Sequence, residues 1–230
     1  MQLIIGNKNY SSWSLRPWIL MRALGIPFDE RLIRLDAPDF DKQLATVYGG
    51  STVPVLIDGD IVVWESLAII EYLAERFAEL EVWPRQADAR ALARSMSAEL
   101  HAGFTGLRSA CPMNLGKRYA PRDRGADVSD DVARICQLWR EARKSFGQHD
   151  SKPYLFGAFS AADAMYAPVV ARLDTYAIEV PADARAYMDA VLGSVAFAEW
   201  RAAALQEPWV VDADEADEVA VADLRNTSTL

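Results

Sequence analysis

The chain has 230 residues, of which 51% are hydrophobic and 25% charged, and a formal net charge of −9. That supplies a real core and enough length for two domains, while the acidic balance argues against a nucleic-acid partner. No run of eighteen apolar residues occurs and no basic-then-apolar leader opens the chain, so the sequence predicts neither a membrane span nor a signal peptide and places the protein in the cytoplasm.

In chain order, Gln2–Gly6 reads as a strand, and a hydroxyl-rich stretch, Ser11-Ser12-Trp13-Ser14-Leu15-Arg16-Pro17-Trp18, leads into a helix that stops at Gly25. Pro17 is costly beyond the first turn, which predicts Ser14 as the N-cap and leaves Ser11 and Ser12 in a loop. A helix N-terminus gathers free N–H groups and the positive end of a dipole, so this stretch is suited to an anion or a thiolate. Arg31–Leu35 alternates and reads as a second strand, and residues 36–48 as loop plus a short helix. Asp58-Gly59 between Val53–Ile57 and Ile61–Trp64 predicts a hairpin, followed by an amphipathic helix from Glu65 to about Phe77. Strand, helix, strand, helix, hairpin, helix is the order of an α/β thioredoxin-like domain over residues 1–80.

Beyond a linker at 79–86 the pattern is all-helical over 87–205: a long helix from Asp88 to about Cys111, others at 128–146 and 160–176, and shorter ones from Pro181 and Ser194. Ser160-Ala161-Ala162-Asp163 is a capping box. His101, Phe104, Thr105, Arg108 and Cys111 fall on one stripe of the long helix, which reads either as a substrate wall or as a polar helix–helix interface. Lys117, Arg118, Arg122 and Arg124 read as a solvated basic loop. Cys111 and Cys136 are too few for a disulfide framework and read as small buried apolar residues, and His101 with His149 makes no metal cluster. From Gln206 onward seven acids stand against one arginine, so the tail 206–230 carries −6 of the net charge; it is expected to be partly disordered or laid against the body.

Three places then carry a family resemblance. Ser11–Arg16, Thr52-Val53-Pro54 and Glu65-Ser66 with the helix after them resemble, in order and spacing, the three glutathione-contacting motifs of the glutathione transferase N-terminal domain. Gly157–Asp163 resembles an element of the family's helical C-terminal domain. The loop is similar to the serine-using zeta class, Ser-Ser-Cys-Ser-x-Arg, with Trp13 in place of the cysteine. The resemblance implies glutathione as co-substrate or cofactor, a homodimer and a small hydrophobic electrophile. It further implies Ser11 or Ser12 at the thiolate, with Tyr10 as a third candidate. Val53 would hold the cysteinyl amide through a cis X–Pro bond, and Glu65 and Ser66 the γ-glutamyl end. Tyr10, Trp13, His101, Arg108 and Asn114 are the expected electrophile pocket. The expected reaction is glutathione conjugation. One alternative is maleylacetoacetate- or maleylpyruvate-type isomerisation, in which Arg16 and Arg108 would take substrate carboxylates; another is a glutathione-binding or interaction module without catalysis.

Overall fold

The computed structural model describes residues 1–147 and 152–225. Four short strands form one sheet. β1 (Gln2–Ile5) runs parallel to β2 (Asp29–Leu32) and antiparallel to β3 (Val55–Asp58). β3 turns through Gly59, whose φ of +60° a glycine adopts without steric cost, into β4 (Ile61–Trp64), giving the order β2-β1-β3-β4. β2 lies two to three residues ahead of the alternating stretch at 31–35, because the four residues of β1 pair Gln2 with Asp29 and Ile5 with Leu32.

The helices of this domain are α1 (Ser12–Ala23), α2 (Phe40–Ala45) and α3 (Ser66–Arg76). The cap of α1 is Ser11, not Ser14 as the proline argument predicts: Ser11 Oγ accepts from the Ser14 N–H at 3.4 Å. Ser14 is held inside the first turn, where its Oγ accepts from the Gly6 N–H at 3.1 Å and so ties the helix to the end of β1. Ser12 is thus the first helical residue and not part of a loop.

The second half is helical: α4 (Ala87–Ala102), α5 (Thr105–Ala110), α6 (Ala126–Ala142) continued by a π-helical turn at Arg143–Gly147, α7 (Ala161–Thr175), α8 (Ala182–Leu192) and α9 (Val195–Ala204). The single helix expected over 88–111 is broken in two. Gly103 is extended and Phe104 takes a left-handed φ of 53°, after which the Leu107 N–H is capped by Asp131 of α6 at 2.9 Å. His101 and Arg108 therefore do not share one helical stripe. α7 is the central element, packed on α1 and α4, with its Met, Val, Leu and Ala side chains all buried. Burial of each large apolar side chain contributes about 1.5–3 kcal/mol.

The tail lies against the body. β6 (Ala222–Asp223) pairs antiparallel with β5 (Lys117–Arg118), a two-residue strand inside the stretch expected to be a solvated basic loop. All four cations of that stretch are paired: Lys117 with Glu215, Arg118 with Asp174, and both Arg122 and Arg124 with Glu218. Among the described residues no helix is long and apolar enough to cross a membrane.

Candidate active site

Where α1 begins, the first domain meets α5 and α7 across a cleft of about 450 Å³. Tyr10, Ser11, Ser12, Trp13, Val53 and Arg108 all line it, joined by two residues that the sequence did not single out, Arg172 and Asp214. Val53 precedes a cis proline, Val53-Pro54. The hairpin pairs Val55 with Trp64, so Val53 precedes the start of β3 and Glu65 and Ser66 follow the end of β4; neither Glu65 nor Ser66 is among the residues that line the cleft. Glu65, at the strand-to-helix corner, holds a φ of +70°, which is sparsely populated by non-glycine residues and turns the α3 N-terminus toward this corner.

The two serines differ in what their hydroxyls do. Ser11 Oγ donates to Ser14 Oγ at 2.7 Å, so it is occupied in capping the helix. Ser12 Oγ accepts from an Nη of Arg172 at 3.2 Å. A hydroxyl that accepts from a cation keeps its own proton for a further partner and donates it more strongly. The Tyr10 hydroxyl donates to Glu215 at 2.5 Å, and burial together with that carboxylate raises its pKa, so its proton is engaged by the tail.

Around Trp13 the structure gathers positive charge. The Arg16 guanidinium lies 3.9 Å from the Trp13 ring centroid and that of Arg108 lies 4.9 Å away. Arg16 is fully buried, with Nε donating to the Met165 carbonyl at 3.1 Å. Arg172, also buried, donates from Nε to the Cys111 carbonyl at 2.9 Å. Burial, reinforced by the neighbouring arginines, lowers the pKa of both, that of Arg172 to about 10. One Nη of each has no hydrogen-bond partner among the described residues. Burial pushes the Cys111 thiol up to about 11, leaving it a neutral buried group.

Other expected site residues stand outside the cleft. His101 packs edge-on against Trp13 at 5.1 Å, with Nε2 3.8 Å from a Glu65 oxygen. Burial lowers its pKa, as do Arg16 and Arg108, against the opposing pull of Glu65. Asn114 is fully buried and its amide is used in the frame: Oδ1 accepts from Asn9 Nδ2 and the Gly116 N–H, and Nδ2 donates to Glu215. His149 lies outside the described residues.

Residues 10–76 match the glutathione S-transferase N-terminal domain. The first domain belongs to the glutathione transferase family. Glutathione S-transferase Z1 of Arabidopsis thaliana is 34% identical over 37% of this chain and 41% of its own length. Curated relatives of this kind are covered over 39% to 63% of their own lengths. In fold, the chain resembles a Burkholderia glutathione transferase homologue solved with bound glutathione, with a TM-score of 0.65, 21% identity, and coverage of 86% of this chain and 95% of that one. It also resembles the holo structure of a bacterial zeta-class maleyl pyruvate isomerase, with a TM-score of 0.67, 21% identity, and coverage of 88% and 98%. The glutathione transferase architecture, a thioredoxin-like domain followed by a helical one, therefore extends across both halves of the described chain.

Proposed function

We propose that this chain is a glutathione-dependent transferase that adds the glutathione thiolate to a small electrophile, with Ser12 as the hydroxyl that holds the thiolate. The observation that carries the reading is the Ser12–Arg172 pair at the mouth of a cleft shared with Val53. The Val53 backbone would take the cysteinyl amide, and the Ser66 N–H with Glu65 the γ-glutamyl end. A free thiol titrates near ~8.5, and lowering it by roughly two units takes about 2.7 kcal/mol of preference for the thiolate. A charge-assisted hydrogen bond supplies about 1.5–3 kcal/mol and a helix N-terminus about 0.3–1 more, so the pair and the α1 terminus together suffice.

A second reading is supported by the arginines. Maleyl-type isomerisation adds the thiolate to one carbon of a cis double bond, allows rotation about the resulting single bond, and eliminates the thiolate to restore the alkene in trans. Its substrates carry carboxylates, for which Arg108 and Arg172 in the cleft wall, with Arg16 buried against Trp13, supply positive charge.

The test is a pH titration of the thiolate absorbance of enzyme-bound glutathione in the native protein, Ser12→Ala and Ser11→Ala, alongside turnover of a maleyl-keto acid and of an aryl halide. The native protein is expected to show a thiol pKa about two units below that of free glutathione. Ser12→Ala should return it most of the way and lower kcat by about a hundredfold, whereas Ser11→Ala should chiefly lower stability through the lost cap. Glutathione bound with an unshifted thiol would support a binding module and sink the proposal.

A further inference from the structure

Asp214 reaches the cleft from a segment far outside the recognised motifs. It ends a short 3-10 turn, Asp212–Asp214, and lines the same cleft as Ser12 and Arg172. Its position is fixed by the next residue. Glu215 Oε1 accepts from the Tyr10 hydroxyl at 2.5 Å and from Asn114 Nδ2 at 3.1 Å, and Oε2 accepts from Lys117 Nζ. The Asp214 N–H is itself bonded to the Val211 carbonyl at 2.9 Å. A carboxylate is thus held in the cleft that is also lined by the arginine touching Ser12, and among the described residues it closes no ion pair onto that arginine.

On the reading that this cleft receives the electrophile, we propose that Asp214 is its specificity-determining residue, a fixed negative charge that admits electrophiles with one carboxylate and turns away those with two. The first carboxylate of a ligand can be taken by Arg172 or Arg108, which both line the cleft. A second, placed across the same small cleft, must lie beside the Asp214 carboxylate, where like charges in a partly desolvated site repel. Partial burial raises the Asp214 pKa, Arg172 draws it down and Glu215 adds to the rise. The inference concerns charge selection by this chain's own residues; it goes with conjugation of a singly charged electrophile and counts against the isomerisation reading, whose maleyl-keto acids carry two carboxylates.

Maleate, monomethyl maleate and dimethyl maleate share one skeleton and carry two, one and no negative charges at neutral pH. Their affinities are measured by calorimetry on the full chain without glutathione, so the readout does not depend on turnover. The native protein should bind the monoester at least as tightly as the diacid. In Asp214→Asn, which keeps the shape of the side chain, maleate affinity should rise about fivefold relative to that of the dimethyl ester, with a smaller gain for the monoester. Equal changes for all three compounds, or binding of none of them by the native protein, would overturn the proposal. A native protein that ranks the three by charge and fails to bind glutathione would overturn the proposed function and leave this inference standing.

Discussion

Arg16 carries its charge where water does not reach. Its guanidinium is stacked on Trp13, bonded once to the Met165 carbonyl, and left with an unpartnered Nη in the company of two other arginines. A desolvated charge without a counter-charge destabilises a fold, so replacing it by an apolar group of similar length removes a burial cost at the loss of one hydrogen bond to the Met165 carbonyl. Arg16→Met should therefore keep or raise the Tm and, by removing a charge stacked on Trp13 rather than a ligand contact, raise the KM for a carboxylate-bearing electrophile by only about two- to threefold. Thermal melts and steady-state kinetics on the same preparation separate the two effects. A lower Tm with unchanged KM would assign Arg16 to structure alone. At this scale the sequence singled out Ser11, Ser12, Val53 and Arg108, which line one cleft, and also Glu65, Ser66, His101 and Asn114, which do not. Arg172 left a signal that went unused, a lone arginine late in an otherwise apolar helical run. Asp214 left none, because its role comes from Glu215 bonding to residues about a hundred positions or more away.

Among the elements, α7 binds the two halves together, and its start depends on one buried carboxylate. Asp163 accepts from the Ser160 N–H at 2.9 Å, the Leu155 N–H at 3.0 Å and Ser160 Oγ at 3.1 Å. Asp163→Ala would strand these donors at about 1–3 kcal/mol for each one left buried, without touching the cleft. Burial nevertheless raises the Asp163 pKa from 3.8 to about 6. Between those values the folded protein holds a proton that the unfolded chain has released, so this group lowers stability as pH climbs from about 4 to about 6 and adds no further change above that. The span corresponds to roughly 3 kcal/mol. In Asp163→Asn that slope should vanish, seen as a gap between native and variant Tm that changes over pH 4–6 and is flat from pH 6.5 upward. A constant gap at every pH would mean that the carboxylate titrates as an ordinary surface acid does. The capping box was readable because all its parts lie within four residues. The break between α4 and α5 was not, since Phe104 enters the left-handed region only through tertiary demands, with Asp131 of α6 capping the new helix.

At the scale of the molecule, the tail acts as a clasp. Glu207 accepts the Lys8 and Asn9 N–H groups at 2.7 and 3.1 Å beside the first loop, Glu215 ties Tyr10 to Asn114 and Lys117, and Glu218 pairs with Arg122 and Arg124 of the helical half. Acidic tail and basic stretch are two composition biases in the sequence, about ninety residues apart, and nothing local says that they meet. Ending the chain after Gln206 would leave the Arg124 side chain, now 3% exposed, without its carboxylate, a loss of about 3–5 kcal/mol for a buried partner. The Tyr10 hydroxyl and two loop amides would lose their acceptor as well. For a chain of this size the truncation should lower the Tm by about 10 °C or more. Added salt should not reproduce the effect in the full chain, because partly buried pairs are screened far less than exposed ones. Glu218→Gln isolates the Arg124 pair and should account for a substantial part of the fall. A truncated chain that melts within about 2 °C of the full one would mean that the clasp is not needed to hold the two halves together.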